Sequence, residues 1–302
     1  MSRMVVAALA LLLLAGHPEA GQVTFRAETE LVHLGVTVSD RRGTLLGELT
    51  ADDFEILEDD RRQTITYFAR GAAEGDGPEL HVGLLFDTSG SMGEDINMAR
   101  TAAIRFLNRL SDARDITLVD FDTEVRVAKY GQQDFPRIVE RIRTRKPEGM
   151  TAMYDALGVY LQSAADDQGR KILVLFTDGG DTRSTIRFGD VLTLLRASDA
   201  TVYTVGFLEH QSSGAKGEQR MRLGQIANES GGESFFPSSL KQIDEAFDKV
   251  VAQVRAQYSL GYVSTNPAAD GRWRKVEIKV RRPDARDLRL LSRKGYFAPY
   301  RP

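Results

Sequence analysis

The hydrophobic pattern divides the chain into a short apolar run and three longer stretches. From Val23 to Ala69 apolar and polar residues alternate. In "LVHLGVTV", Val32, Leu34, Val36 and Val38 fall on one face, and Leu31, His33, Gly35 and Thr37 on the other. That period of two predicts a half-buried strand, with His33 at the surface. "DRRG" (Asp40 to Gly43) predicts a turn, and "FEILED" and "QTITYF" predict two further strands. Residues 71–78, "GAAEGDGP", have no period and predict a linker.

From residue 79 the rhythm changes. Apolar strands ("HVGLLF", "ITLVDF", "EVRVAKY", "KILVLF", "TVYTVGF", "ESFF") alternate with helical patterns. The helices are expected near Asp95 to Leu110, Pro136 to Arg143, Ala152 to Ala164, Asp190 to Ala197, Arg222 to Asn228 and Ser239 to Ala256. In the first of them Ala99, Ala102, Ala103, Phe106 and Leu110 share one apolar face, which assigns them to a core. Alternating strands and helices predict an α/β domain over 79–256 with a doubly wound, mostly parallel sheet. From Gln257 the pattern returns to strands: "YSLGYVS", "WRKVEIKV" and "LRLLSRKGYF". Neither end of the chain has enough strands for a good core. Together 21–70 and 257–302 supply about seven, which predicts one discontinuous β-sandwich into which the α/β domain is inserted.

Length and composition add limits. A chain of 302 residues suggests about two domains. A net charge of −3 without a basic stripe argues against a nucleic-acid partner. Arg3 precedes an apolar run from Met4 to Ala15. As a helix that run spans roughly 18 Å, against about 30 Å for a bilayer core, so residues 1–20 read as a secretory signal. Cleavage is expected after Ala20, or near Ala15 or Gly16, because Pro18 stands where a small residue is wanted. The expected location is secreted or periplasmic, with an uncleaved N-terminal anchor as the alternative and no later membrane span. There is no cysteine, so stability comes from packing and from any bound ion. The four histidines are scattered singly and suggest no zinc site.

The candidate chemistry lies in "LLFDTSGSMGED". Open parallel sheets bind ligands beyond the carboxyl ends of their strands. Asp87 lies just past one apolar strand and Asp178, in "LFTDGGDT", just past another that a doubly wound order places beside it. Two carboxylates in a semi-buried crevice repel unless a cation or proton lies between them. Ser89 and Ser91, two residues apart on a tight loop, turn two hydroxyls to one point, and Thr151 in "EGMTAMYDAL" offers a third. Two carboxylates and three hydroxyls suit Mg²⁺ or Mn²⁺, with Ca²⁺ a further choice, and match zinc or copper poorly. So few charged ligands leave the ion seeking one more anionic oxygen from outside. A protein or surface ligand offering a carboxylate is the expected partner.

These residues resemble a known family. Asp87-Thr88-Ser89-Gly90-Ser91-Met92, Thr151 in "GMTAMYDAL" and Asp178 in "LFTDGGD" look like a von Willebrand factor type A domain with a complete metal-ion-dependent adhesion site, over roughly 79–256. The resemblance implies direct metal contacts from Ser89, Ser91 and Thr151, with Asp87 and Asp178 often acting through water. It also implies a last helix, Lys241 to Ala256, that shifts when ligand engages the metal. The flanks "ELTADDFEILEDDRRQTITYF" and "YSLGYVSTNPAADGRWRKVEIKVRRPD…LSRKGYFAP" are similar to the ends of exported bacterial proteins abundant in acidobacteria.

Competing readings are weaker on the same residues. A calcium helix-loop-helix needs glycine where Met92 stands and glutamate where Met98 stands. A phosphohydrolase of the haloacid dehalogenase type needs a second acid two residues after the nucleophile, where Ser89 stands. No P-loop, nucleophile elbow or metalloprotease His-Glu pair is present, so an enzyme is not expected. A metal-independent scaffold module is the other alternative. Asp120, in a strand expected to be covered on both faces, is either bonded locally or supports the site from behind. The polar stretch from Glu209 to Arg220 is expected to be a mobile loop that rims the site and helps choose the partner, with a plain surface insertion as the alternative.

Overall fold

The computed structural model describes residues 31–71, 78–110, 112–282 and 287–300. The expected signal, and the expected linker apart from Gly71 and Pro78, lie outside them. The N-terminal segment forms β1 (Leu31–Ser39), β2 (Phe54–Glu58), β3 (Arg61–Gln63) and β4 (Ile65–Arg70). The alternating pattern of β1 buries Val32, Leu34, Val36 and Val38 and leaves His33 exposed.

The central segment is an α/β unit. Its strands are β5 (Leu80–Asp87), β6 (Asp115–Phe121), β7 (Val125–Gly131), β8 (Arg170–Thr177), β9 (Thr201–Gly206) and β10 (Ser234–Phe235). They form one sheet in the order β10-β9-β8-β5-β6-β7, parallel except for the edge strand β7. β5 and β8 are neighbours and every residue of both is buried, which is why each is written as a nearly unbroken apolar run. Helices α1 (Ile96–Arg109), α2 (Phe135–Thr144) and α6 (Leu240–Ala256) cover one face, and α3 (Met153–Ser163), α4 (Phe188–Ala197) and α5 (Ser213–Ser230) the other. Gly83 in β5 is required by this packing, since a Cβ there would lie 2.2 Å from the ring of Tyr160 on α3. The expected rim loop from Glu209 to Arg220 is corrected here: residues 213–220 are the first two turns of α5, capped by the Ser212 hydroxyl, which accepts from the Ala215 N–H.

The C-terminal segment adds β11 (Tyr258–Val263), β12 (Trp273–Val280), β13 (Arg289–Leu291) and β14 (Gly295–Phe297). Two antiparallel sheets result, β13-β1-β11-β4 and β14-β12-β2-β3, each built from both ends of the chain. Among the described residues the two segments form eight strands rather than about seven, in part because "LRLLSRKGYF" splits into β13 and β14, which join different sheets. The core between the sheets holds Leu34, Val36, Ile56, Tyr258, Leu260 and Tyr262 among others. α6 passes into β11 through the single residue Gln257.

Glu58, 2% exposed, ties the two ends together. Its carboxylate accepts hydrogen bonds from the hydroxyls of Tyr262 (2.8 Å), Tyr296 (2.8 Å) and Ser264 (2.6 Å). Removing it leaves three hydroxyls without that acceptor in a largely buried place. Glu58→Ala is therefore expected to cost about 3 kcal/mol, read as a lowered denaturation midpoint. A midpoint equal to the parent's would show that this cluster does not hold the ends together.

Candidate metal centre

β5 delivers Asp87 to the carboxyl edge of the sheet, fully buried, and the chain then turns sharply. Thr88 is tied to the next strand, donating from its N–H (2.8 Å) and its hydroxyl (3.0 Å) to the Phe121 carbonyl. The Ser89 N–H donates to Asp87 Oδ1 at 2.9 Å, the local bond that aspartate makes in turns of this kind. A single 3-10 turn, Gly90–Gly93, follows and brings the hydroxyls of Ser89 and Ser91 to 3.1 Å.

Thr151 comes from the loop before α3. The Gly90 N–H donates to the Gly149 carbonyl at 3.1 Å, so that loop sits against the residue between the two serines. The Thr151 backbone is clamped by Thr182 and Arg183, whose N–H groups donate to its carbonyl at 2.9 and 3.0 Å. Asp178 follows β8 and is 1% exposed. Thr177, the residue before it, donates its hydroxyl to Asp87 Oδ2 at 2.6 Å and accepts the Gly179 N–H at 2.9 Å, which fixes the turn that aims Asp178.

The electrostatics are those of an uncompensated acidic pair. Burial, and then the facing Asp178 carboxylate, push Asp87 up to about 7. Burial also raises Asp178 above its ordinary value. Asp178 Oδ2 accepts from Gln211 Nε2 at 3.1 Å, while Oδ1 is buried with no hydrogen-bond partner. An orphaned carboxylate oxygen, a second buried acid and two serine hydroxyls 3.1 Å apart, with the loop that carries Thr151 held against Gly90, are a set that fits a hard divalent cation. It offers no nitrogen or sulfur ligand.

Three neighbours were not foreseen from the sequence. Gln211 is one, on the four-residue remnant (209–212) of the expected rim loop. Asp95 and His210 are the others: His210 Nδ1 lies 3.1 Å from Asp95, which is 3% exposed, and Nε2 lies 3.2 Å from Glu94. The hydrogen bond to Asp95 raises the histidine above its ordinary value. Thr177, which bonds Asp87, was also not foreseen; its signal is the hydroxyl residue directly before Asp178 in "LFTDGGD". Asp120 is bonded locally: Arg141 Nε reaches it at 2.5 Å, and Oδ2 faces Arg145 Nε at 2.9 Å without hydrogen-bond alignment.

The opposite edge of the sheet holds a second polar group. Ligand atoms of His81, Asp115 and Asp167 lie within 4.8 Å of one another. The Lys129 ammonium already sits among them, 2.8 Å from Asp167 and 3.2 Å from Asp115, and supplies the cation those acids need. The orphaned oxygen and the uncompensated pair are at the Asp87 edge instead.

A family model described as the von Willebrand factor type A domain matches residues 81–249. A comparison with curated proteins finds no match. Among solved structures, a von Willebrand factor type A protein from Catenulispora acidiphila is 15% identical, with a TM-score of 0.50 over 91% of this chain and 75% of that one. The PilB minor pilin of Streptococcus sanguinis is 14% identical, at a TM-score of 0.48 over 61% of this chain. The chain spans 63% of that pilin's length. The vWF domain of the type V pili tip protein Mfa5 from Porphyromonas gingivalis is 12% identical, at 0.48, over 64% of this chain and 99% of that one. At such identities the likeness is one of fold. With more than half of its length matched by the family model, the chain belongs to the von Willebrand factor type A domain family.

Proposed function

We propose that this is an exported binding protein that engages an acidic group of a protein or surface partner through a divalent cation, Mg²⁺ or Mn²⁺ before Ca²⁺. Asp87, Ser89, Ser91, Thr151 and Asp178 are the residues that would hold the ion, and the ion would supply an electrophilic position open to a partner's carboxylate. The observation that carries this reading is the orphaned, buried Asp178 Oδ1 beside Asp87, two acids that the chain itself leaves uncompensated. Domains of this family serve as binding modules, and Ser89 stands where phosphohydrolysis needs an acid, so binding is favoured over catalysis. Export rests on the apolar run from Met4 to Ala15. No helix among the described residues is long and apolar enough to cross a membrane. The domain division belongs to the same proposal: residues 79–256 as one unit, set into a sandwich made from 21–70 and 257–302.

Thermal melting with Mg²⁺ and with a chelator tests it. An ion present at ten times its dissociation constant stabilises a native-state site by about 1.4 kcal/mol. In a chain of this size that is a rise of roughly 2 °C. Superimposable curves at millimolar Mg²⁺ and Mn²⁺ would refute the cation site.

A further inference from the structure

Met150 stands directly before Thr151, and its side chain is 55% exposed, one of the most exposed large apolar residues described. Its backbone is held on every side. The Glu148 N–H donates to the Thr88 carbonyl at 2.9 Å, the Gly149 carbonyl accepts from Gly90, and the Met150 N–H donates to Thr123 Oγ1 at 2.9 Å. Gly149 takes a left-handed φ of 72°, where a Cβ would lie 2.4 Å from that same Thr123 oxygen, so the turn is specific to glycine. A thioether side chain thus projects into solvent from a rigid loop, one residue from a proposed ligand to the cation. Its backbone needs no ordering on binding, and its flexible, polarisable thioether adapts to an apolar surface but offers no strong hydrogen bond.

We infer that Met150 selects the partner. The ligand is a peptide segment in which an aspartate or glutamate is followed or preceded by a large apolar side chain. The carboxylate goes to the cation and the neighbouring side chain lies on Met150. A uronic-acid polysaccharide supplies the carboxylate but nothing for Met150 to cover. The inference rests on the cation-dependent reading of the site and goes beyond it by naming the partner's chemistry. Apolar anchors presented at the centre of an interface, on rigid backbone, carry much of its affinity.

The test uses an array of short synthetic peptides, each with one Asp or Glu flanked by varied residues, probed with the full chain in Mg²⁺. Oligogalacturonate serves as the polysaccharide arm. Peptides with Leu, Ile, Met, Phe or Tyr beside the acid are expected to bind about tenfold more tightly than those flanked by Gly or Ser. Met150→Gln removes that preference, and chelator removes binding altogether. Melting with and without Mg²⁺, run on both proteins, reports the fold and the cation site separately. If neither protein responds to Mg²⁺, the reading of the site fails. If Mg²⁺ responses are present, three results overturn the role of Met150: flank preference absent or surviving Met150→Gln, oligogalacturonate binding as well as the best peptides, or no acidic peptide retained.

Discussion

Replacing Asp87 with asparagine is expected to abolish the Mg²⁺-dependent rise in melting temperature and, in chelator, to make the protein more stable than its parent above neutral pH. Both effects come from one group. In the metal-free native state burial and Asp178 push Asp87 up to about 7, while in the unfolded chain it keeps its ordinary value of 3.8. Between those pH values the native state holds a proton that the unfolded state has lost. Native stability therefore falls as pH rises from about 4 to about 7, and the penalty is complete above 7. Three pH units at 1.36 kcal/mol each place it on the order of 4 kcal/mol. An asparagine carries no charge and escapes it. Its Oδ1 still accepts the Ser89 N–H, and the Thr177 hydroxyl, which now donates to Asp87 Oδ2, turns to accept from the amide. Melting curves of both proteins from pH 4 to pH 8, in chelator and in Mg²⁺, check this. A parent whose metal-free stability is flat across that range would contradict the buried acidic pair.

Phe176→Ala is expected to give the largest loss of stability among single changes near the site. Phe176 is fully buried, two residues before Asp178. Its ring meets Phe247 edge-on at 5.9 Å and lies 6.5 Å from both Phe86 and Phe207. These rings join β5, β8, the start of the loop after β9, and α6, so the cavity left by alanine is lined by four elements and cannot collapse locally. Such truncations cost about 3–5 kcal/mol, equivalent here to a melting temperature lower by roughly 5–8 °C. The Mg²⁺ response should persist in the variant at low temperature, because Thr177 and Asp178 are held by their own hydrogen bonds. A loss below about 1 kcal/mol would mean that the aromatic cluster under the site repacks freely.

The parts of this molecule that could be read from the sequence are those with local causes. Apolar runs ended by an acid mark β5 and β8 because buried parallel strands leave no polar face, and their adjacency follows from doubly wound order. Asp87, Ser89 and Ser91 share one turn, so their grouping needs no tertiary knowledge. The sandwich was legible because each end of the chain alternates with period two yet is too short to make a core. What escaped has distant causes. The first turns of α5 read "SGAKGEQR", with two glycines and no apolar stripe, and only the Ser212 cap betrays them. Gln211 and His210 reach Asp178 and Asp95 across separations of 33 and 115 residues, which no local pattern records. The grouping of His81, Asp115 and Asp167 with Lys129 arises only when the amino ends of β5 and β6 are laid side by side.

Crystals grown in Mn²⁺ and measured for its anomalous scattering test the central claim most directly. The account predicts a single strong peak enclosed by oxygens of Ser89, Ser91 and Thr151, with Asp87 and Asp178 beside it directly or through water. A peak among His81, Asp115 and Asp167 instead, or none at the Asp87 edge with Mn²⁺ in large excess, would contradict it.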